Sequence, residues 1–302
     1  MPPKGGSKSE SGGNGASAST APASSSAKIS ETAAPAPQPS AAPAAQAPQP
    51  APLRPAPPPQ DPRFPIFYRS LTAIDGVRHG GKSLRQRIGF DFARGSHAVL
   101  LNGTEFEAAA RHYPIVFTPS PQPAALVVLG VRRDENLMVD ANGDWRPGTY
   151  IPAYIRRYPF IFHESQDKQQ YTLCIDETSG ALEDTGDRRL FTDGKPTEIV
   201  QSALQFCAAF QRDYNNTRDF VEQLSERGLL IPNQAEITLN SGEKLSVTGF
   251  HVIDRDRFAG LPDSAFLEWR RKGWLPWVFA HFISNGNWSG LVDIAGALSK
   301  AA

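Results

Sequence analysis

The sequence is poor in sulfur, with two cysteines and two methionines among 302 residues. The two thiols, Cys174 and Cys207, are too widely separated along the chain to suggest a disulfide framework or a zinc ligand set. They are expected to be reduced, buried thiols, in keeping with a cytoplasmic site of synthesis. Net charge is missing too. The 31 basic side chains are matched by 31 acidic ones, which argues against a nucleic-acid surface or a polybasic membrane patch. No apolar run approaches the roughly 18–20 residues that cross a bilayer, so no membrane span is expected. The N-terminus lacks the apolar stretch of a cleavable secretory signal. No Sec-type export is therefore expected, and the signals on the chain point to the cytoplasm.

Catalytic signatures are absent as well. There is no GxSxG elbow, no phosphate-binding P-loop and no GxGxxG. The histidines, His79, His97, His112, His163, His251 and His281, show no HxH or HExxH spacing. No metal, cofactor or catalytic residue is expected. His163 and His281 each follow an apolar aromatic run, so these two are expected to be partly buried. Asp140, Asn142 and Asp144 mimic the first ligands of a calcium loop. The mimicry fails at Trp145, where that loop needs glycine, and at Ile151, where it needs glutamate, so a tight turn is expected instead. Asp254 and Asp256 alternate with Arg255 and Arg257, as a self-neutralising surface set would.

What the chain has in excess is proline, unevenly spread. Residues 1–62 hold 15 of the 27 prolines, with alanine, serine, glycine and glutamine filling most of the rest. Such a segment buries too little apolar surface to offset the entropy of ordering it. It is expected to be a disordered tail that favours extended, polyproline-like conformers. It would serve as a tether or, on a sharper reading, as a docking ligand for a proline-binding module. The folded domain is expected over 63–302.

Within that domain the apolar periodicity predicts strands before helices. Residues 96–101, Ile115–Phe117, 126–131, 136–140, the FIFHES run and 171–176 read as strands. The 126–131 and 136–140 pair is predicted to form an antiparallel hairpin. A short helix with Phe106, Ala109 and Ala110 on one face follows an Asn102-Gly103 turn. A long helix is predicted over 196–227, with a bend or break at Asn215-Asn216-Thr217 and a stop at Gly228. Ile237 and Leu245 flank a hairpin turn at Asn240-Ser241-Gly242. A second helix spans 262–273, and Trp277 to Ser284 reads as strand or helix. The expectation is an α+β fold: an antiparallel β-rich core with one long helix and a shorter C-terminal helix.

One stretch stands apart, WRPGTYIPAYIRRYPF at 145–160. It packs three prolines, three arginines and three tyrosines into sixteen positions. Its prolines forbid a continuous helix. As an extended chain it would put its aromatic and arginine side chains on one face and Ile151, Ala153 and Ile155 on the other. Alternatively, IPAYIRR forms a single helical turn begun by Pro152. On the structural reading its tyrosines and arginines bond and stack within the core. On the functional reading Trp145, Tyr150, Tyr154, Arg156, Arg157 and Tyr158, with His163 beyond, form a recognition surface or pocket. The paired arginines would grip a carboxylate or phosphate.

The runs HYPIVFT (112–118) and LVVLGVRRDENLMVDANGDWRPGTYIPAYIRRYPFIF (126–162) resemble the SapC family of bacterial proteins. The likeness continues through CID (174–176), FTDGKP (191–196), the long helix and WLPWVFAHFIS, spanning roughly residues 64–295. It implies association with the surface array, or S-layer, and possible surface-array or other envelope proteins as partners. It carries over no catalytic residue. A membrane permease that shares the short name is excluded by the lack of spanning segments. Surface association would need a non-Sec route. The alternative is a cytoplasmic small-molecule-binding protein or enzyme with a pocket lined by the 145–163 segment.

Overall fold

The computed structural model describes residues 64–301, apart from 120, 166–169, 239–241 and 243. The expected tail over 1–62 and part of the 240–242 turn lie outside the described residues. The chain enters through β1 (Leu71–Ala73), β2 (Ser83–Leu84) and β3 (Ala98–Leu100). A tight turn at Gly103–Glu105 opens the one-turn helix α1 (Phe106–Ala109), whose Phe106, Ala109 and following Ala110 are buried as expected. Next come β4 (Ile115–Phe117), β5 (Ala125–Val128) and the single helical turn α2 (Ala153–Arg156). The hairpin β6 (Phe160–Glu164) and β7 (Tyr171–Asp176) follows, with three two-residue strands after it: β8 (Leu182–Glu183), β9 (Phe191–Thr192) and β10 (Lys195–Pro196). The long α3 (Glu198–Glu226), the hairpin β11 (Leu230–Thr238) and β12 (Lys244–Ile253), and then α4 (Arg255–Ala259), α5 (Asp263–Lys272), α6 (Leu275–Ser284) and α7 (Trp288–Ala301) complete the order.

Among the described residues the strands pair only antiparallel. One sheet runs β11-β12-β4-β5-β3 and another β1-β7-β6. With helices segregated mainly to the C-terminal half, the protein is α+β. Two apolar cores form. The larger joins the five-stranded sheet to α1, α2, α5, α6 and the second half of α3. The smaller gathers Leu84, Phe160, Leu173, Ile175, Leu190 and Cys207 between the β1-β7-β6 sheet and the first half of α3. In the larger core Phe220 meets Trp277, Trp274 and Trp269 edge-on, with ring centroids 5.3, 5.6 and 5.8 Å apart. This is the geometry that ring quadrupoles favour.

Three predicted features come out differently. The 136–140 segment is not a hairpin partner of β5. Both Leu129 and Gly130 donate to the His97 carbonyl, and the Asn136 side chain donates to Ala93 and accepts from Met138. A side chain at Gly130 would meet the Glu135 carbonyl at 1.9 Å, so this loop closes only around glycine. The place beside β5 is taken by β3 and β4. Second, α3 runs unbroken through Asn215–Thr217. The Thr217 hydroxyl donates to the Asp213 carbonyl and accepts from Gly103 N, and Asn216 accepts from the Trp274 indole. These polar residues face partners rather than breaking the helix. Third, the C-terminal part holds more helix than expected. Asp254 caps α4 by accepting from Asp256 N and Arg257 N, while also pairing with Arg257 at 3.2 Å.

His281 shows how α6 is stapled to the sheet. It is fully buried, its Nε2 accepts from Ile253 N at 3.1 Å, and its Nδ1 lies 2.9 Å from the Ile115 carbonyl. Those partners require the neutral Nδ1–H tautomer. Burial pushes the ring down to about 4, against only partial opposition from the Ile115 bond. Its folded value lies below the unfolded one. The neutral ring's contribution is therefore complete above the ordinary histidine range and is lost as pH falls toward the folded value. The loss is on the order of 3 kcal/mol. The stability difference between the wild type and His281→Gln is expected to move against the wild type between about pH 7 and pH 4.5. A difference that stays flat with pH would show that the ring is not buried neutral.

Candidate functional site

The 145–160 segment is built mainly from inside. Trp145 is 7% exposed and sits edge-on to Phe90 with centroids 5.6 Å apart. Pro152 precedes the helical turn, as its fixed φ allows, so the side chains do not alternate as they would on a strand. Tyr154 is 2% exposed, buried with Ala153 and Ile155. Tyr158 stacks on Phe92 at 4.1 Å. The structural reading of the segment holds for these rings.

The arginines behave differently. Arg157 lies between the faces of Tyr154 and Phe210, its guanidinium carbon 4.3 Å from each centroid. Burial raises the hydroxyl pKa values of Tyr68 and Tyr154, and the charge of Arg157 restrains both. The adjacent Arg156 is exposed. Its Nε donates to the Ile151 carbonyl, one terminal nitrogen donates to the Tyr150 hydroxyl, and the Phe206 ring lies 5.4 Å beneath it. Tyr150 in turn donates to Glu105 at 2.9 Å.

Glu105 is a key residue that the sequence analysis missed. Its carboxylate also accepts from Ala153 N at 2.6 Å and from Asn102 N at 3.2 Å. Burial holds its carboxyl above the usual range, with those three donors and the charge of Arg156 opposing. Asn102-x-x-Glu105 is a capping-box pattern, so a signal for this residue was present in the sequence.

Arg156 stands where three depressions meet. The main one, about 420 Å³, lies between the first turns of α3 and the start of β6. It is lined by Arg156, Arg157 and Arg188 over an apolar floor that includes Ile199, Ala203 and Phe206. A second depression of about 230 Å³ reaches Glu105, Tyr150 and Asp213, and a third of about 300 Å³ reaches Tyr158 and Phe92. None of the three arginines makes an ion pair with a carboxylate among the described residues, although Glu198 lines the main groove. Arg188 donates to the Arg85 carbonyl at 2.8 Å. It sits in a polar loop that gave no signal in the sequence. Of the residues first singled out, Arg156, Arg157, Tyr150 and Tyr158 therefore line this composite groove, whereas Trp145 and Tyr154 belong to the core. His163 is exposed near the far end of the β6-β7 hairpin, contrary to expectation. The burial of β6 fades after Ile161 because the strand runs past the edge of the core.

Cys207 also borders the groove but is buried, and burial pushes its thiol up to about 11 despite the nearby charge of Arg157. Among the described residues no three His, Cys, Asp or Glu side chains cluster as a metal site. Nor is any described helix long and apolar enough to cross a membrane.

An antiparallel α+β domain with a cationic groove beside its longest helix is the class these features define. A family model for SapC matches residues 74–291, and the chain belongs to that family. No curated protein and no solved structure matches it.

The Glu105 carboxylate links the 102–105 turn to α2 and, through Tyr150, to Arg156. Glu105→Gln keeps the size but turns an amide donor toward at least one of the three donors. It is expected to cost about 1–3 kcal/mol. Because the folded pKa of Glu105 is raised, the wild type gains stability relative to the variant as pH falls from neutral, and the gain is complete below the unfolded carboxyl value. Urea denaturation of both proteins at neutral pH and near pH 4.5 reads this. A gap that narrows on acidification would contradict it.

Proposed function

We propose that this SapC-family protein acts by binding rather than by catalysis, in association with the bacterial surface layer or envelope, and that the groove around Arg156 is its binding element. The observation that carries this is the convergence of Arg156, Arg157 and Arg188 on one open cavity without carboxylate partners among the described residues. Arginine forks of this kind recognise anions by charge and by paired hydrogen bonds. The one thiol at the groove supports binding over nucleophilic chemistry. Burial pushes it up to about 11, so it stays protonated at neutral pH, and the thiol is a far weaker nucleophile than the thiolate. The surface-layer part of the proposal rests on family membership.

A second reading, a cytoplasmic small-molecule-binding protein or enzyme, is favoured by the cavity itself. At about 420 Å³ it falls in the size range of small-ligand sites.

Fractionation of the producing cells, with surface extraction by chelator or low pH, separates the two. The wild type is expected in the extract, and an Arg156→Ala/Arg188→Ala double variant is expected to shift severalfold toward the cytosolic fraction. Wild-type protein recovered only from the cytosol would overturn the envelope association and favour the second reading.

A further inference from the structure

We infer that the groove holds an amphiphilic anion, a carboxylate or phosphate head joined to an apolar chain. The inference rests on the groove being the binding element and goes on to name what it binds.

The head is specified by the donors left over. Arg156 uses Nε and one terminal nitrogen on Ile151 and Tyr150. Arg188 uses one terminal nitrogen on the carbonyls of Arg85 and Gln86. The other terminal nitrogen of Arg156, and Nε and the second terminal nitrogen of Arg188, have no protein partner among the described residues. Arg157 adds a third positive charge that is held in place by aromatic faces rather than by a carboxylate. Against these three cations the main cavity sets the single carboxylate of Glu198, while Glu105 and Asp213 lie in the adjoining depression on the far side of Arg156. An excess of cation in the main cavity takes an anion, and the free Nε and terminal nitrogen of Arg188 form one planar edge that suits a two-oxygen head such as carboxylate or phosphate, with Arg156 adding one further donor.

The body is specified by the floor. Ile199, Ala203 and Phe206 are spaced i, i+4, i+7 on α3, so they form one stripe along the helix. All three are half-buried, and the stripe faces the cavity with Leu84 and Phe160 opposite. Leu84 and Phe160 belong to the smaller core, with Ile199 and Ala203 packed against it. The groove is thus a place where that core opens to solvent beside a patch of positive charge. A simple inorganic anion would satisfy the arginines and leave the stripe wet. A neutral apolar molecule would cover the stripe and leave the arginines unanswered. An anion with an alkyl chain satisfies both.

Octanoate and octyl phosphate are the probes, titrated calorimetrically into the full chain, with octanol, octylamine, acetate and inorganic phosphate as comparisons. Saturable binding is expected for one or both octyl anions, at least about tenfold tighter than for the head groups alone or for the neutral and cationic octyl compounds. Binding of octanoate only would mark a fatty-acid-type carboxylate, and of octyl phosphate only a lipid-type phosphate; either supports the inference. Arg188→Gln is expected to weaken the octyl anion by about tenfold. Ala203→Trp, which fills the floor without touching the charge, should abolish chain-dependent binding while leaving the weak head-group binding in place. Equal binding of octanol or octylamine, or of inorganic phosphate and octyl phosphate, would overturn the inference, as would undiminished octyl-anion binding by both folded variants. Octyl-anion binding by a protein found only in the cytosol would sink the envelope association but not the ligand class. Arginine-dependent recovery from the cell surface without octyl-anion binding would do the reverse.

Discussion

Taking the carboxylate of Glu105 out of water costs several kcal/mol unless each lone pair finds a donor. The fold meets that demand from three directions: the Asn102 amide of its own turn, the Ala153 amide at the start of α2, and the Tyr150 hydroxyl. These contacts close a short chain loop onto a segment some forty-five residues further on. The same turn is locked to α3, because Gly103 N donates to Thr217 and the Asn102 side chain reaches the Phe210 carbonyl. Once the carboxylate is in place, the position of α2 relative to α3 follows, and so does the position of Arg156. The site therefore depends on a buried charge that never reaches the solvent-facing floor of the main groove.

Arg157 is accommodated by a different device. A guanidinium near the interior without a carboxylate beside it needs some other source of negative potential. Ring faces supply it, through cation–π contacts that strengthen as water is excluded. Tyr154 and Phe210 clamp the ion from two sides, and Tyr68 stands somewhat farther off at 5.8 Å. A carboxylate in that position would have neutralised the charge. The aromatic clamp leaves the charge uncancelled at the edge of the groove. This is why a segment so rich in tyrosine can be both a core element and the support of a cationic surface.

Local signals in the sequence were sufficient where one element's own pattern decided its state. The three apolar residues of β4, the bounds of β7, the Gly228 stop after α3 and the extent of α5 are of this kind. The signals failed where a distant partner decided. Residues 136–140 have strand character, yet Asn136 is tied to Ala93 and Arg94 while β3 occupies the strand edge. Asn215–Thr217 are weak helix formers taken singly, but each bond they make to Trp274 or Gly103 comes from a remote element. The aromatic-arginine run was recognisable as unusual, but its spacing did not show that Arg156 would be exposed and Arg157 clamped between the Tyr154 and Phe210 rings. Arg188 and the α3 stripe entered the groove only through tertiary contact, and no local spacing announces such a meeting.

The composition of the 145–160 segment follows from its route. Ala153, Tyr154 and Ile155 pack into the larger core, whereas Phe160 packs into the smaller one. The helix α3 makes the same crossing, with Val200 and Cys207 in the smaller core and Phe210, Phe220 and Leu224 in the larger. The two crossings lie side by side. Aliphatic side chains at such a seam would fuse the cores into one and leave no opening. Consecutive arginines instead fill part of the seam with a flat, aromatic-compatible ion at 157 and hold the rest open with a solvated one at 156. The prolines at 152 and 159 bracket the turn that points these neighbours in different directions. The groove is thus a consequence of how one chain segment passes between two cores, and its charge comes from the residues that make the passage possible.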